Sequence, residues 1–123
     1  MRTLKFRVWD KQRNNMLKYP CSMGQGFPCP IESYDFMQFT GLTGQEQREI
    51  YEGDICRWRT SDGSVIGSII WEQQACAFWF KWFDGAAHRY RELRVTFSDG
   101  ELWLNDNIQV IGNIYEHSNL INP

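Results

Sequence analysis

Apolar and polar positions alternate with a period of two along most of the chain, the pattern of strands that bury one face. Leu4, Phe6 and Val8 alternate with Lys5, Arg7 and Trp9, which predicts a first strand. The polar run Asp10 to Asn15 predicts a turn, and Met16 to Tyr19 a return strand closing an N-terminal hairpin. Residues 20–33 hold three of the four prolines and two glycines, which predicts a long loop, because proline cannot donate to a strand ladder. Asp35 to Thr40 predicts a short strand ending at Gly41. From Ile55 onward a strand-and-turn unit recurs: strands at Ile55–Arg59, Val65–Glu72, Ala75–Phe83, Tyr90–Phe97, Glu101–Leu104 and Ile108–Ile114. The turns between the first five fall at Asp62-Gly63, Gln73-Gln74, Asp84-Gly85 and Asp99-Gly100. Short strands joined by Gly-containing turns imply a sandwich or barrel, and the nearest small architecture is an SH3-type barrel.

With 123 residues the chain suits one domain, long enough to bury a core without staples. Aromatics at 15% favour the β reading, since flat rings pack well on a pleated surface. No apolar run approaches the length of a membrane helix, and the first ten residues form no signal-type apolar block, so a cytoplasmic location and no membrane partner are expected. Cys56 and Cys76 read as core or near-core strand residues, while Cys21 and Cys29 fall in the Pro/Gly loop. No C-x-x-C pair exists and neither His88 nor His117 stands at zinc spacing, so neither a metal site nor a structural disulfide is expected. Net charge is −2, but unevenly placed: residues 1–20 carry six Lys/Arg and one acid, and residues 21–56 carry one Arg and six acids. Complementary packing of basic and acidic strands explains this better than a local basic face does.

The stretch E-I-Y-E-G-D-I at residues 49–55 places Glu49, Glu52 and Asp54 around Gly53. Gly53 supplies a bend before the strand, and Asp54 can hold backbone N–H groups in the turn. A catalytic reading would need a base, metal or nucleophile at a recognised spacing, and none is present. The remaining enzyme hypothesis is a divalent ion held by Asp10, Glu52, Asp54 and Glu116, which requires those acids to converge from separate strands. For nucleic acid, the segment from His88 to Arg94 interleaves aromatic and basic residues. Alternation, however, puts Tyr90, Glu92 and Arg94 on one face and Arg89, Arg91 and Leu93 on the other. That split and the net acidity argue against nucleic acid as a partner. Trp58, Trp79, Trp82 and Trp103 exceed what one thin barrel readily hides. Together with Arg89 and Arg91 they form the candidate interaction surface. Ala75–Phe83 is apolar on both faces, which raises a homo-oligomer, or cover by the N-terminal hairpin, as ways to hide the outer one.

Four ordered strings, K-F-R-V-W-D (5–10), M-Q-F-T-G-L (37–42), E-I-Y-E-G-D-I (49–55) and I-Q-V-I-G-N-I-Y-E (108–116), resemble the YopX-type proteins of bacteriophages and prophages. Thr43 to Arg48 lacks the Asp/Asn-Gly turn common in that family, and the Pro/Cys loop at 20–33 is idiosyncratic. The resemblance implies a mainly β fold with an SH3-type barrel and a phage or prophage origin, and implies no particular reaction. The expected organisation is a single domain of little helix: an N-terminal hairpin and irregular extension over residues 1–48, a barrel over 49–116 and a tail over 117–123. The expected role is a non-catalytic binding module, without cofactor, for a host or phage protein. The alternatives are a nucleic-acid-associated protein and a carboxylate-dependent enzyme.

Overall fold

The computed structural model describes residues 5–19, 31–93, 97–98, 101–102 and 107–121. Eleven strands occur among them: β1 (Phe6–Asp10), β2 (Asn15–Tyr19), β3 (Tyr34–Thr43), β4 (Glu49–Tyr51), β5 (Asp54–Thr60), β6 (Gly63–Glu72), β7 (Ala77–Phe83), β8 (His88–Glu92), β9 (Phe97–Ser98), β10 (Glu101–Leu102) and β11 (Ile108–Asn113). Short 3-10 turns at Ile31–Ser33, Gln45–Gln47 and Ser118–Leu120 link or follow them. The chain is mainly β, as its alternation predicts. A four-stranded sheet runs β2-β1-β3-β4 and a curled five-stranded sheet runs β11-β5-β6-β7-β8, with β9 and β10 forming a separate ribbon. Every pairing is antiparallel.

The N-terminal hairpin closes at Asp10, whose buried carboxylate accepts the N–H groups of Gln12 and Arg13 at 3.0 and 3.1 Å. Such a cap satisfies turn donors that no strand partner can reach. β3 continues through Gly41 to Thr43 instead of stopping, because a bulge absorbs the surplus: Phe39 pairs with Tyr51 and Thr43 with Glu49, and Gly41 takes φ +87°. The Thr40 hydroxyl donates to the Ile50 carbonyl at 2.8 Å across this bulge. The Thr43–Arg48 segment, where the Asp/Asn-Gly turn is missing, closes with a 3-10 turn in which Glu46 and Gln47 both take positive φ.

Gly53 is where the chain passes from one sheet to the other. Its N–H donates to the Ile69 carbonyl at 2.8 Å, and its own carbonyl accepts the Ile114 N–H at 2.9 Å. Its φ is +86°, and a Cβ there would lie 3.1 Å from the Met37 sulfur. E-I-Y-E-G-D-I is therefore β4, a turn and the start of β5. Gly53→Val is expected to lower stability by about 1–3 kcal/mol, the cost of forcing a branched residue into left-handed backbone. A chemical-denaturation midpoint equal to the parent's would contradict this.

The core of the five-stranded sheet gathers Cys56 and Trp58 of β5, Ile69 of β6, Phe80 of β7, and Ile108 and Val110 of β11, with Ile50 and Leu93. Leu42, Val65, Phe78 and Trp82 pack around it. β7 begins at Ala77, two residues later than expected. Glu72 pairs with Ala77, so the turn holds four residues and ends on Cys76 at φ +51°. Cys76 is thus an exposed turn residue and not a strand residue near the core, whereas Cys56 is fully buried. Both are free thiols; Cys21 and Cys29 lie outside the described residues. At the preceding hairpin Thr60 pairs with Gly63, leaving Ser61-Asp62 as the loop and the positive φ at Gly63. β8 covers His88–Glu92 only, and Phe97–Ser98 pairs separately with β10.

Candidate functional site

The four acids that an ion-dependent enzyme would need each serve a different local purpose. Asp10 caps the first turn. The Glu52 carboxylate accepts the Gln38 N–H at 3.4 Å. Glu116 accepts from the Asn113 side-chain amide at 2.9 Å, while Asn113 Oδ1 accepts the N–H groups of Tyr115 and Glu116. Asp54, only 1% exposed, accepts the Tyr51 N–H at 2.8 Å with one oxygen and sets the other 2.6 Å from the Arg7 guanidinium. Burial raises the Asp54 carboxyl above its ordinary value, and the Arg7 charge opposes that shift. Among the described residues no three His, Cys, Asp or Glu stand together where they could hold a metal ion. Burial also pushes the Cys56 thiol far up, with the Asp54 charge adding to it, the opposite of what activates a nucleophile.

These groups form the joint between the sheets. Arg7 lies over the Tyr51 ring at 5.0 Å and donates to the Glu52 carbonyl at 3.3 Å. Lys5 pairs with Glu49. Trp9 stacks on Tyr115 at 5.2 Å. The absence of a side chain at Gly112 makes room for the His117 ring, whose Nδ1 accepts the Asn113 N–H at 3.1 Å. Burial, followed by the nearby Asp35 charge, pushes the Tyr115 hydroxyl up to about 12. All four strings that resemble the YopX family meet here, so their residue types are accounted for by packing and hydrogen bonding.

The register of the five-stranded sheet sorts its side chains onto two faces. Cys56, Trp58, Val65, Ile69, Phe78, Phe80 and Trp82 line the core side. The outward side carries Arg57 and Arg59 of β5, Ile66 and Ser68 of β6, Trp79, Lys81 and Phe83 of β7, and His88, Tyr90 and Glu92 of β8. Phe83 and Tyr90 are 51% and 48% exposed there. Lys81 reaches over the Tyr90 ring at 5.9 Å, and Trp79 meets that ring edge-on at 6.1 Å. The Trp79 indole N–H is buried without a hydrogen-bond partner among the described residues.

The candidate interaction residues are spread over both sides. Trp58 is a core residue, packed on Phe80 at 5.2 Å, and Trp82 stacks on Phe80 at 5.5 Å. Arg91 turns to the core side and covers the Trp58 ring at 4.7 Å. Arg89 is tied to Asp84 at 2.6 Å, and that carboxylate is held well below its usual range by the Ala87 N–H, Arg89 and the Ala86 N–H. The expected split of Tyr90 and Glu92 from Arg89 and Arg91 holds, and Arg94, expected on the side of Tyr90, lies outside the described residues. Of the six, Trp79 alone faces outward among the described residues; Trp103 lies outside them. Arg57, Arg59 and Phe83, exposed on the outward face, and half-buried Lys81 were not singled out by sequence as interaction residues, and Tyr90 entered only within the His88–Arg94 segment. Their alternation is visible, but which side of an apolar strand faces out is not.

A family model described as "YopX protein" matches residues 23–122. Among solved structures, the crystal structure of protein EF1440 from Enterococcus faecalis superimposes with a TM-score of 0.59 at 21% identity, covering 99% of this chain and 100% of that one. At that identity the likeness is one of fold. No curated protein matches the sequence.

Proposed function

The chain belongs to the YopX family, and from that premise we propose that it is a non-catalytic interaction module, encoded by a phage or prophage and working in the cytoplasm. It engages a component of the host or the phage through the outward face of the five-stranded sheet. One observation carries this reading: Phe83 and Tyr90 stand half in solvent on a regular sheet face, flanked by cations. Large rings grouped on an open face mark contact surfaces more often than isolated ones do. The non-catalytic part is supported by the separate structural employment of Asp10, Glu52, Asp54 and Glu116 and by the buried thiol of Cys56. Among the described residues no helix is long and apolar enough to cross a membrane.

The test is site-specific photocrosslinking in cells carrying the prophage. Benzoylphenylalanine placed at Phe83 is expected to capture a partner, protein or nucleic acid, and the same group placed at Arg13, exposed on the first hairpin turn, is expected not to. Equal labelling from both positions, or none from either, would remove the outward face as the contact surface.

A further inference from the structure

The chemistry of the outward face is specific enough to name a class of partner, on the premise that this face is the contact surface. Arg57 and Arg59 project from the same side of β5, and beside them lies a shallow concavity of about 430 Å³ lined also by Gln45, Thr60, Ser64 and Gln109. No acid lines it. Among the described residues neither guanidinium has a hydrogen bond, an ion pair or a ring contact. Two unpaired guanidiniums among hydroxyls and amides are matched by an anion with several acceptor oxygens.

Toward β7 and β8 the same face changes character. Ile66 is the register partner of Arg57, Ser68 that of Lys81, Lys81 that of Tyr90, and Phe83 that of His88. Adjacent strands lie about 4.8 Å apart, so the Phe83 backbone position lies roughly 10 Å, two strand spacings, from that of Arg57, within one nucleotide's reach of phosphate to base. The acids of this face among the described residues, Glu72 and Glu92, stand at its far end beside Trp79 and Tyr90. Among the described residues the track from Arg59 and Arg57 to Phe83, Lys81 and Tyr90 therefore offers cations and half-exposed rings with no Asp or Glu between them, with Leu120 and Ile121 beside Ile66, Lys81 and Phe83.

We propose that this track binds single-stranded nucleic acid, with Arg57, Arg59 and Lys81 on phosphates and Phe83 and Tyr90 stacked on bases. The combination of a basic groove with ring platforms is what such ligands require, and it reads no sequence. A duplex hides its base faces in the stack and leaves Phe83 and Tyr90 without partners. An acidic peptide would satisfy the arginines and likewise leave the rings unused. The net charge of −2 limits long-range attraction, so binding is set by contacts on the face. The sequence split Arg89 and Arg91 from Tyr90 and so pointed away from nucleic acid; the cations that share the face come from β5 and β7 instead.

The test is fluorescence anisotropy with a labelled oligothymidylate of about 12 nucleotides, within the usual site size for sheet-type binders. Expected is micromolar binding at low salt, with log K falling against log salt at a slope of about −2 for three single-strand phosphate contacts. Arg57→Gln with Arg59→Gln should bring the slope to about −0.7. Phe83→Ala and Tyr90→Ala should each weaken binding about tenfold with little change in slope. These are surface substitutions, and far-ultraviolet circular dichroism of each variant checks that it folds. No binding at about 100 μM protein overturns the inference, as does equal affinity for the duplex, or competition by polyglutamate at equal charge. Light scattering that gives a dimer from which Phe83→Ala releases monomers also overturns it, because a second copy would then occupy the face. A Phe83 crosslink to a protein, with no oligonucleotide binding, would end this inference and leave the contact-surface reading standing. No site-specific crosslink at all would end both.

Discussion

Arg7→Met is expected to lower stability by about 3–5 kcal/mol at neutral pH, the typical cost of removing one partner from a buried ion pair. Arg7 is 13% exposed and Asp54 1%, and the guanidinium also reaches the Glu52 carbonyl and the Tyr51 ring. Methionine restores most of the volume but none of the charge, so Asp54 would remain as an uncompensated buried carboxylate. The pH dependence separates this cause from simple misfit. Burial already raises the folded-state pKa of Asp54, and Arg7 is the main group lowering it. Without Arg7 the folded pKa rises further, while the unfolded value stays near about 3.9. Through that window the folded state holds more protons than the unfolded one, so the variant loses stability as pH rises and recovers it as pH falls. Urea midpoints of parent and variant should therefore converge on acidification from pH 7 toward 5. A gap that stays constant would mean that lost packing, and not the stranded charge, is responsible.

Phe80→Ala is expected to cost about 4–5 kcal/mol, the upper part of the range for deleting a buried ring. Phe80 is 1% exposed and lies between Trp58 and Trp82. Its ring tip covers Gly67, where an added Cβ would lie 2.9 Å away. Glycine has no side chain to move into the space, and backbone paired on both edges of β6 cannot sink into it. The cavity should persist, and a persistent cavity is what drives the cost up. Thermal unfolding reads the loss directly. A double variant, Phe80→Ala with Gly67→Ala, tests the cause: the new methyl points toward the hole, yet also stands 2.2 Å from the Lys81 carbonyl oxygen, so β7 must shift. No rescue, or further loss, is expected. Full recovery would show that β7 shifts cheaply and that the cavity is not held open by the backbone.

Local pattern determined a good deal about this protein. Period-two alternation located the strands, and Asp10, Gly53 and Asp84 marked turns where their short-range roles require them. The four YopX-like strings identified the family because each contributes to one joint: Arg7 and Trp9, Met37 to Thr40, Ile50 to Asp54, and Gly112 to Tyr115. Sequence could state the residue types there, and also that Asp54 sits in a turn. It could not state that Arg7 meets Asp54, because that pair depends on how two sheets are placed against each other. The displaced strand ends have the same origin. A bulge at Gly41 and a four-residue turn ending on Cys76 add residues without disturbing alternation, so nothing in the local pattern marks them.

The candidate surface shows the division most clearly. β7 is apolar on both faces, and alternation separates Phe78, Phe80 and Trp82 from Ala77, Trp79, Lys81 and Phe83 without saying which set is buried. That choice is made by the neighbours: β5 and β11 supply Trp58, Ile108 and Val110 on the side where Phe80 packs with them. Once the inner set is chosen, the antiparallel register places Arg57 and Arg59 on the same outward face as Lys81, Phe83 and Tyr90, and turns Arg89 and Arg91 away. Side-chain alternation is local and can be read along a strand. Which face meets solvent, and which distant cations share it with a ring, is set by strand pairing, and that exists only in the folded sheet.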